Sequence, residues 1–459
     1  MPTECSAKPM GFARVDGRSV VADFEGGAIT SNAGGLLLGA TDRAIGLVER
    51  FTACFTDGRS AERVVHDIAT LVGQRVFGIA LGHEDLVDHD RLRHDPVLEV
   101  TLGRLEARHG RCAPLAGKST LNRLEHGAAA ADRYRRIAHD GAAIEALFFD
   151  LFLDAHAQPP KEIVLDLDAA DPLHGHQEGR FFHGYYDCHC YLPLYVFCGR
   201  HLLAAKLRRS NIDASAGAVE EVGRIVEQIR ARWPRVRIIL RGDGGFAREA
   251  LMAWCEENRV DFLFGLARNG RLVEHIHVPL AWAEHDAEAT GRPARRFADF
   301  RWTTRLSWSR RRRVVAKAEW MPGRGDKGAN PRFVVTSLKA VRADARTLYE
   351  QMYCARGEME NRIKECQLDL FADRTSTATM RANQLRLWFA SMAYGLVTAL
   401  RRLGLAGTEL ANATCGSIRL KLLKIGALVT RSVRRIRIAM ASSCPDAAAF
   451  RLAHARLCS

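Results

Sequence analysis

Between residues 160 and 270 short apolar runs alternate with helical patterns, and the order of those pieces leaves few folds open. The stretch begins after Pro159-Pro160 with EIVLDLDAA, a strand of period two. Ile163, Leu165 and Leu167 point one way; Val164, Asp166, Asp168 and Ala170 point the other. A loop, DPLHGHQEGRFFHGYYD, leads to CHCYLPLYVF and RHLLAAKLR, which read as two strands around Gly199. From Ala216 to Trp233 the period becomes helical, with Val219, Val222, Ile225, Val226 and Ile229 on one face and Pro234 as the stop. RVRIIL is then a buried strand ending in the turn RGDGGF, AREALMAWCEENR a helix, and VDFLFGLA another buried strand.

Three strands, helix, strand, helix, strand is the order of a ribonuclease-H-like α/β core. The rest of the chain divides around it. Residues 1 to about 30 look irregular, and from Asn32 to about Leu151 small and aliphatic residues recur at helix spacing, as in GGLLLGATDRAIGLVERF. Residues 270 to 348 are rich in Arg, Trp and Pro, with strand-like pieces RRFADFRWTT, RRVVAKAEW and RFVVTSL, and read as a β-rich insertion. Helices are expected from about Ala345 to the end. The expected organisation is a helical region over 1–155, the core over 156–269 and again over 349–405, the insertion between, and a basic helical region over 406–459. Nine Lys or Arg and one acid, Glu409, lie between Arg401 and Arg437.

The charge agrees with a polyanionic partner. Lys and Arg outnumber Asp and Glu by 67 to 53, a net +14, which favours nucleic acid. Twelve cysteines are scattered without a dense framework, so a reducing cytosol and mostly free thiols are expected. The start, MPTECSAKPMGFARV, lacks the apolar core of a signal peptide, and the longest apolar run, Leu387 to Leu400, is too short for a bilayer.

Three places carry chemistry. Asp166 and Asp168 share a strand face opposite a wholly aliphatic one; buried carboxylates are expensive unless paired or metal-bound, although a strand edge in solvent would serve as well. Asp243 directly follows the strand IIL, at the carboxyl end where α/β sheets gather ligands, and its neighbouring glycines admit a phosphate or metal; a plain Asp-Gly turn is the ordinary alternative. In YCARGEMENRIKE, Tyr353, Arg356, Glu360 and Lys364 are spaced three, four and four apart, on one helix face. A carboxylate between cations suits a site for metal and phosphate, and a solvated salt-bridge stripe looks the same. Taken together, an acid in the first strand, one after the fourth and one on a late helix are the places that a ribonuclease-H-like fold gathers around two Mg²⁺ or Mn²⁺ ions about 3.5–4 Å apart.

Several motifs point elsewhere and are discounted. GKST at 117–120 lacks the upstream Gly of a phosphate loop, since position 112 is Cys; Ser119 or Thr120 reads as a cap before LNRLE. Cys188, His189, Cys190 and Cys198, with His174, His176 and His183, match no zinc-finger spacing. His174 and His176 flank the first strand and suit DNA contact or loop ordering equally. Trp302, Trp308 and Trp320 can stack on an unpaired base, but the ordinary reading for any one of them is the core of a small β unit. Arg310 to Arg313, with Arg311 and Arg312 at the centre, and Arg241 beside Asp243 are candidate phosphate contacts.

The sequence resembles the bacterial insertion-sequence DDE transposases, specifically the insertion sequence thirteen-eighty group of the insertion sequence four superfamily. The resemblance covers nearly the whole chain and is carried by LDLDAADPLHGHQEG, YYDCHCYLPLYVF, RGDGGFAREALMAWCEEN, FGLARN, PRFVVTSL and YCARGEMENRIKE. The family signature is Tyr, two residues, Arg, three residues, Glu, six residues, Lys. Tyr353, Arg356 and Glu360 fit it; the last position is Gln367, with Lys364 one turn earlier. The resemblance implies a metal-binding catalytic triad of Asp168, Asp243 and Glu360, with Asp166 and Glu358 as rivals for the outer two. It also implies phosphate contacts from Tyr353, Arg356 and Lys364, a β insertion where 270–348 lies, DNA binding by the helical region over 1–155, two Mg²⁺ or Mn²⁺ ions, and a homodimer on double-stranded DNA. The function implied is cleavage at the element's inverted repeats and transfer of the strands to target DNA. A nuclease without strand transfer and an inactive DNA-binding derivative share most of these features.

Overall fold

A computed structural model describes residues 9–106, 112–127, 130–169, 173–174 and 177–458. It divides into two units, His139–Gly395 and Met1–Ala138 with Leu396–Ser459.

The first of these is built on alternation. It opens with helix α1 (Gly141–Asp154), capped by Asp140, whose carboxylate accepts from the Ala142 and Ala143 amides. Strand β1 (Glu162–Ala169) follows, then β2 (Leu194–Cys198) and β3 (His201–Lys206), a hairpin turning at Gly199 with φ 56°. Helix α2 (Ala218–Arg232), β4 (Arg237–Gly242), α3 (Glu249–Glu257) and β5 (Asp261–Leu266) complete the expected series. Two short helices, α4 (Gly270–His275) and α5 (His277–Thr290), precede β6 (Ala294–Trp302), β7 (Arg312–Trp320) and β8 (Arg332–Thr336). All eight strands lie in one sheet, in the order β3-β2-β1-β4-β5-β8-β7-β6. Only β1 with β4 and β4 with β5 are parallel.

The two faces of the sheet are covered differently. Ile163, Leu165 and Leu167 of β1 enter a large core with Phe149 and Phe152 of α1 and Val222, Ile225, Val226 and Ile229 of α2. The opposite face holds a smaller cluster, Ile239, Leu263, Val315 and Val334 under Leu348 and Tyr349. The acids of β1 share this second face, so they sit beneath the segment that carries Glu360.

The strands after residue 290 do not make a unit of their own. β8 pairs with β5 and carries the same sheet onward, which satisfies the edge that β5 would otherwise leave open. Residues 270–290, expected to be β-rich, are helical. Ala283 and Ala287, one turn apart, pack on Trp320; composition hides that spacing because the residues that meet are small.

The other unit is more β-rich than its sequence predicts. Met10–Val15 and Arg18–Ala22 form a hairpin turning at Asp16 and Gly17, both left-handed at φ 47° and 79°, where an irregular start was expected. Ala427–Arg431 pairs with Ile436–Met440 on one side and with Ile29–Thr30 on the other, in place of the expected helices. Its helix Ile68–Ala80 is buried almost all round, and Arg75 within it meets Glu125 at 2.8 Å. The helix Lys118–Glu125 starts on Gly117 rather than on a hydroxyl cap; the Asp90 carboxylate accepts from the Lys118 amide at 3.0 Å. Among the described residues no helix is long and apolar enough to cross a membrane.

Candidate active site at the carboxyl ends of the central strands

Asp166 and Asp168 share a face of β1, but they have different partners. Parallel pairing sets Asp166 beside Arg241 of β4. The guanidinium grips the carboxylate at both oxygens, Nε to Oδ1 at 2.5 Å and Nη2 to Oδ2 at 2.8 Å, and its Nη1 donates to the Met352 carbonyl. Both side chains are buried. Burial pushes the Asp166 carboxyl above its ordinary range, against the opposing pull of Arg241. Arg241, expected at phosphate, is therefore occupied inside the protein.

Asp168 lies two residues further toward the carboxyl end. Its Oδ2 accepts from Arg356 Nη1 at 3.3 Å. The same guanidinium lies 2.6 Å from Glu360 Oε1 through Nη2. Asp243 follows β4 and opens a single 3-10 turn, Gly244–Phe246, by accepting from the Gly245 amide at 2.9 Å. Burial works to lower the Arg356 pKa, but Asp168, Tyr353, Glu360 and Asp243 together outweigh it, and the net direction is upward. One cation thus feels all three acids of the expected triad. Burial, with Asp243 nearby, raises the Tyr353 phenol above its usual range against the opposing charge of Arg356, so its hydroxyl keeps its proton.

The segment that presents Tyr353, Arg356 and Glu360 is not one even helix. It runs through a π turn at Leu348–Tyr353 and a 3-10 turn at Cys354–Arg356 before becoming helix α6 (Gly357–Lys364). Breaks of that kind in pitch often mark functional sites. Here the widened and tightened turns offset each other, and the three side chains still converge. Lys364, a turn beyond Glu360, is exposed, whereas Gln367 is buried in a second π turn, Glu365–Asp369, with its Nε2 unpartnered among the described residues.

One positioning feature was missed in the sequence. Gly265 of β5 packs directly on the site: a Cβ there would stand 2.5 Å from the Tyr353 hydroxyl and 2.9 Å from the Gly244 amide nitrogen. The only sequence signal was a glycine inside an otherwise apolar strand, a mark of close backbone approach. Gly265→Ala is expected to push Tyr353 and the Asp243 turn apart and to lower turnover by about a hundredfold. Thermal melts run beside the kinetics check this: a loss of activity that merely tracks a loss of folded protein would refute a positioning role.

The arginine run of the insertion separates in space. Arg312 is buried between Glu249 at 2.6 Å and Glu256 at 2.8 Å and fastens α3 to β7. Arg313 pairs with Asp299 at 2.6 Å. Arg311 is exposed and, with Arg310, still faces solvent. Trp302 is half-buried, with the Arg271 guanidinium 4.7 Å from its ring centre and His275 beside it. Trp308 and Trp320 pack against core residues. His176 and the side chain of His174 lie outside the described residues. Among those described, no three His, Cys, Asp or Glu side chains are grouped to hold one metal ion. At the candidate triad the Arg356 guanidinium stands between two of the acids.

A family model for the transposase DDE domain, group 1, matches residues 12–459. The chain belongs to the DDE transposases. No curated protein matches it. Transposases of this family are DNA-cutting and strand-transferring enzymes that generally use divalent metal ions. By donor chemistry Asp168, Asp243 and Glu360 suit such an ion, since they offer only hard oxygen ligands, but among the described residues they are not gathered around one point.

Proposed function

We propose that this chain binds the terminal inverted repeats of its own insertion sequence, cleaves the DNA there and transfers the freed 3′ ends to target DNA. The observation that carries the reading is Arg356, whose guanidinium lies between Asp168 and Glu360 and feels Asp243. Strand order supports a ribonuclease-H-like core, since β3-β2-β1-β4-β5, with β1, β4 and β5 parallel, is that fold's arrangement. The assignment of Asp166 to Arg241 supports Asp168 as the first acid, and the reach of Arg356 to Glu360 supports Glu360 over the exposed Glu358. The match of the signature residues supports the insertion sequence thirteen-eighty group, and through it a dimer on double-stranded DNA near the bacterial nucleoid.

In this reading Asp168, Asp243 and Glu360 would hold two Mg²⁺ or Mn²⁺ ions, whose chemistry would be charge stabilisation at the phosphate and a more acidic attacking hydroxyl. The protein's own groups do the rest. Tyr353 keeps its proton and donates it as a hydrogen bond to a phosphate oxygen. Arg356, which here bridges Asp168 and Glu360, would turn its fork to the same phosphate once those acids hold metal. Arg241 neutralises Asp166 and so keeps that acid out of the site. Lys364 and Arg311, both exposed, are placed for backbone contacts further along the duplex.

A second reading, a derivative that binds DNA without completing strand transfer, is favoured by one observation: Gln367 occupies the signature lysine position and is buried. An oligonucleotide carrying the element's own end, incubated with Mg²⁺ and a target duplex, separates the two. Cleaved and joined products are expected. Cleavage without joining would leave a nuclease, and binding without either would leave the derivative.

A further inference from the structure

At the far end of the same sheet lies a polar pocket of about 500 Å³. It is lined by Arg230, Arg235, Arg237 and Arg259, with Glu257 and Asp261 as its acids. Arg237 opens β4, whereas Asp243 follows its last residue, so six residue steps of about 3.3 Å, about 20 Å in all, separate the two ends. No single phosphate can touch both.

Several inward-lying arginines of this unit are matched to a carboxylate, among them Arg241, Arg312, Arg313 and the half-buried Arg356. The four in the pocket have no carboxylate within ion-pair distance among the described residues. Two of the nearby acids are engaged elsewhere. Glu162, the cross-strand neighbour of Arg237, is held by Arg342. Asp261 accepts from Ser337 Oγ at 2.9 Å and faces Arg342 at 4.0 Å. Glu257 is exposed. Local capping accounts for only part of the set. Arg230 lies in the last turn of α2 and donates to the Arg259 carbonyl at 3.0 Å, where a cation complements the helix end. That explanation does not reach Arg235 or Arg237. Arg259 holds a left-handed φ of 55°, a conformation that favours glycine, yet it carries a long cationic side chain there. Burial, and then the charge of Arg259, hold the Arg230 guanidinium below its ordinary range, as expected where like charges are crowded.

Four gathered arginines against two acids, with none of the four in an ion pair among the described residues, leave a net positive polar recess that calls for a polyanion. We infer that this pocket is a second backbone-phosphate site for duplex DNA, holding a stretch of duplex other than the one whose phosphodiester lies at Asp243. The inference rests on the reading that the chain acts on DNA, but it concerns binding and not the chemical step. A transposase has to manage two DNA segments, and a basic recess on the sheet end opposite the acids would keep the second clear of the first.

The test uses the full chain and a duplex of unrelated sequence. Binding is followed by fluorescence anisotropy over a range of salt for wild type, Arg235→Ala with Arg237→Ala, and Asp243→Asn. Both pocket substitutions are at exposed positions, and melts of each variant confirm folding. The slope of log affinity against log salt is expected to fall by about two in the pocket variant, one per lost phosphate contact, and to stay unchanged in Asp243→Asn. An unchanged slope in the pocket variant overturns the inference. Inorganic tripolyphosphate forms the second arm. If the pocket variant loses tripolyphosphate binding while its duplex slope is that of wild type, the recess serves a free polyphosphate and the duplex assignment falls. Failure of the proposed function would look different: wild type would cut nothing, whatever the slopes.

Discussion

Asp243→Asn and Glu360→Gln should each reduce Mg²⁺-dependent cleavage and joining by about a thousandfold or more while leaving affinity for the element's end close to wild type. A thousandfold corresponds to about 4 kcal/mol of transition-state stabilisation, the scale on which a carboxylate holding an essential cation acts. Both substitutions preserve shape and remove one charge. They also change the environment of Arg356, which loses an acid in either case. Glu358→Gln is the informative control, because Glu358 is exposed and lies two residues before Glu360, on another side of the helix from the face that Arg356 reaches. Gel separation of cut and joined products, with anisotropy for binding, gives the result. If Glu358→Gln loses activity and Glu360→Gln keeps it, the third acid has been misassigned; if none of the three differs from wild type, the triad itself is wrong.

The second large effect concerns folding. Arg241→Met should destabilise the unit by about 3–5 kcal/mol near neutral pH, because it leaves the Asp166 carboxylate buried without its partner. The pH dependence follows from the direction of the shift. Burial already raises the folded-state pKa of Asp166 above its unfolded value, and losing Arg241 raises it further. An acid raised on folding takes up its proton first in the folded state, so the folded form gains as pH falls through the raised value. The deficit of Arg241→Met is therefore full above that pKa and shrinks on acidification. Urea unfolding at about pH 7 and about pH 5 measures it. A variant with Asp166→Leu beside Arg241→Met should recover much of the loss, since an apolar pair of similar volume needs no desolvation. Equal stability of wild type and Arg241→Met at neutral pH would mean that Asp166 is not held by this arginine.

How much of this was legible in the sequence depended on the kind of signal. The core elements from β1 to β5 announce themselves because burial on both sides of a sheet demands long apolar runs and burial on one side of a helix demands a stripe. Asp243 and Glu360 could be singled out by their place relative to those elements. The division of labour between Asp166 and Asp168 could not. Both lie on one face of one strand, and only the register with β4 decides which of them meets Arg241. Register is a pairing property that no single strand carries. The same holds for Arg312, which in the sequence belongs to an exposed-looking run and in the fold lies between two glutamates of α3. The helices α4 and α5 were hidden because alanines make the contact, and the hairpin of Met10–Ala22 because exposed strands leave no burial pattern to read.

The continuity of the eight-stranded sheet bears on how the protein can be shortened. Residues 270–336 interrupt the chain between Asp243 and Glu360 and so invite removal in a search for a minimal catalytic fragment. Yet β8 completes the hydrogen bonding of β5, the strand whose Gly265 supports Tyr353. Excision would strip that strand to a bare edge of unpaired amides and carbonyls, flat and apolar, of the sort that recruits other chains. A trimmed version would be an aggregating species before it was an inactive one, and any economical variant has to replace the lost edge partner as well as bridge the gap.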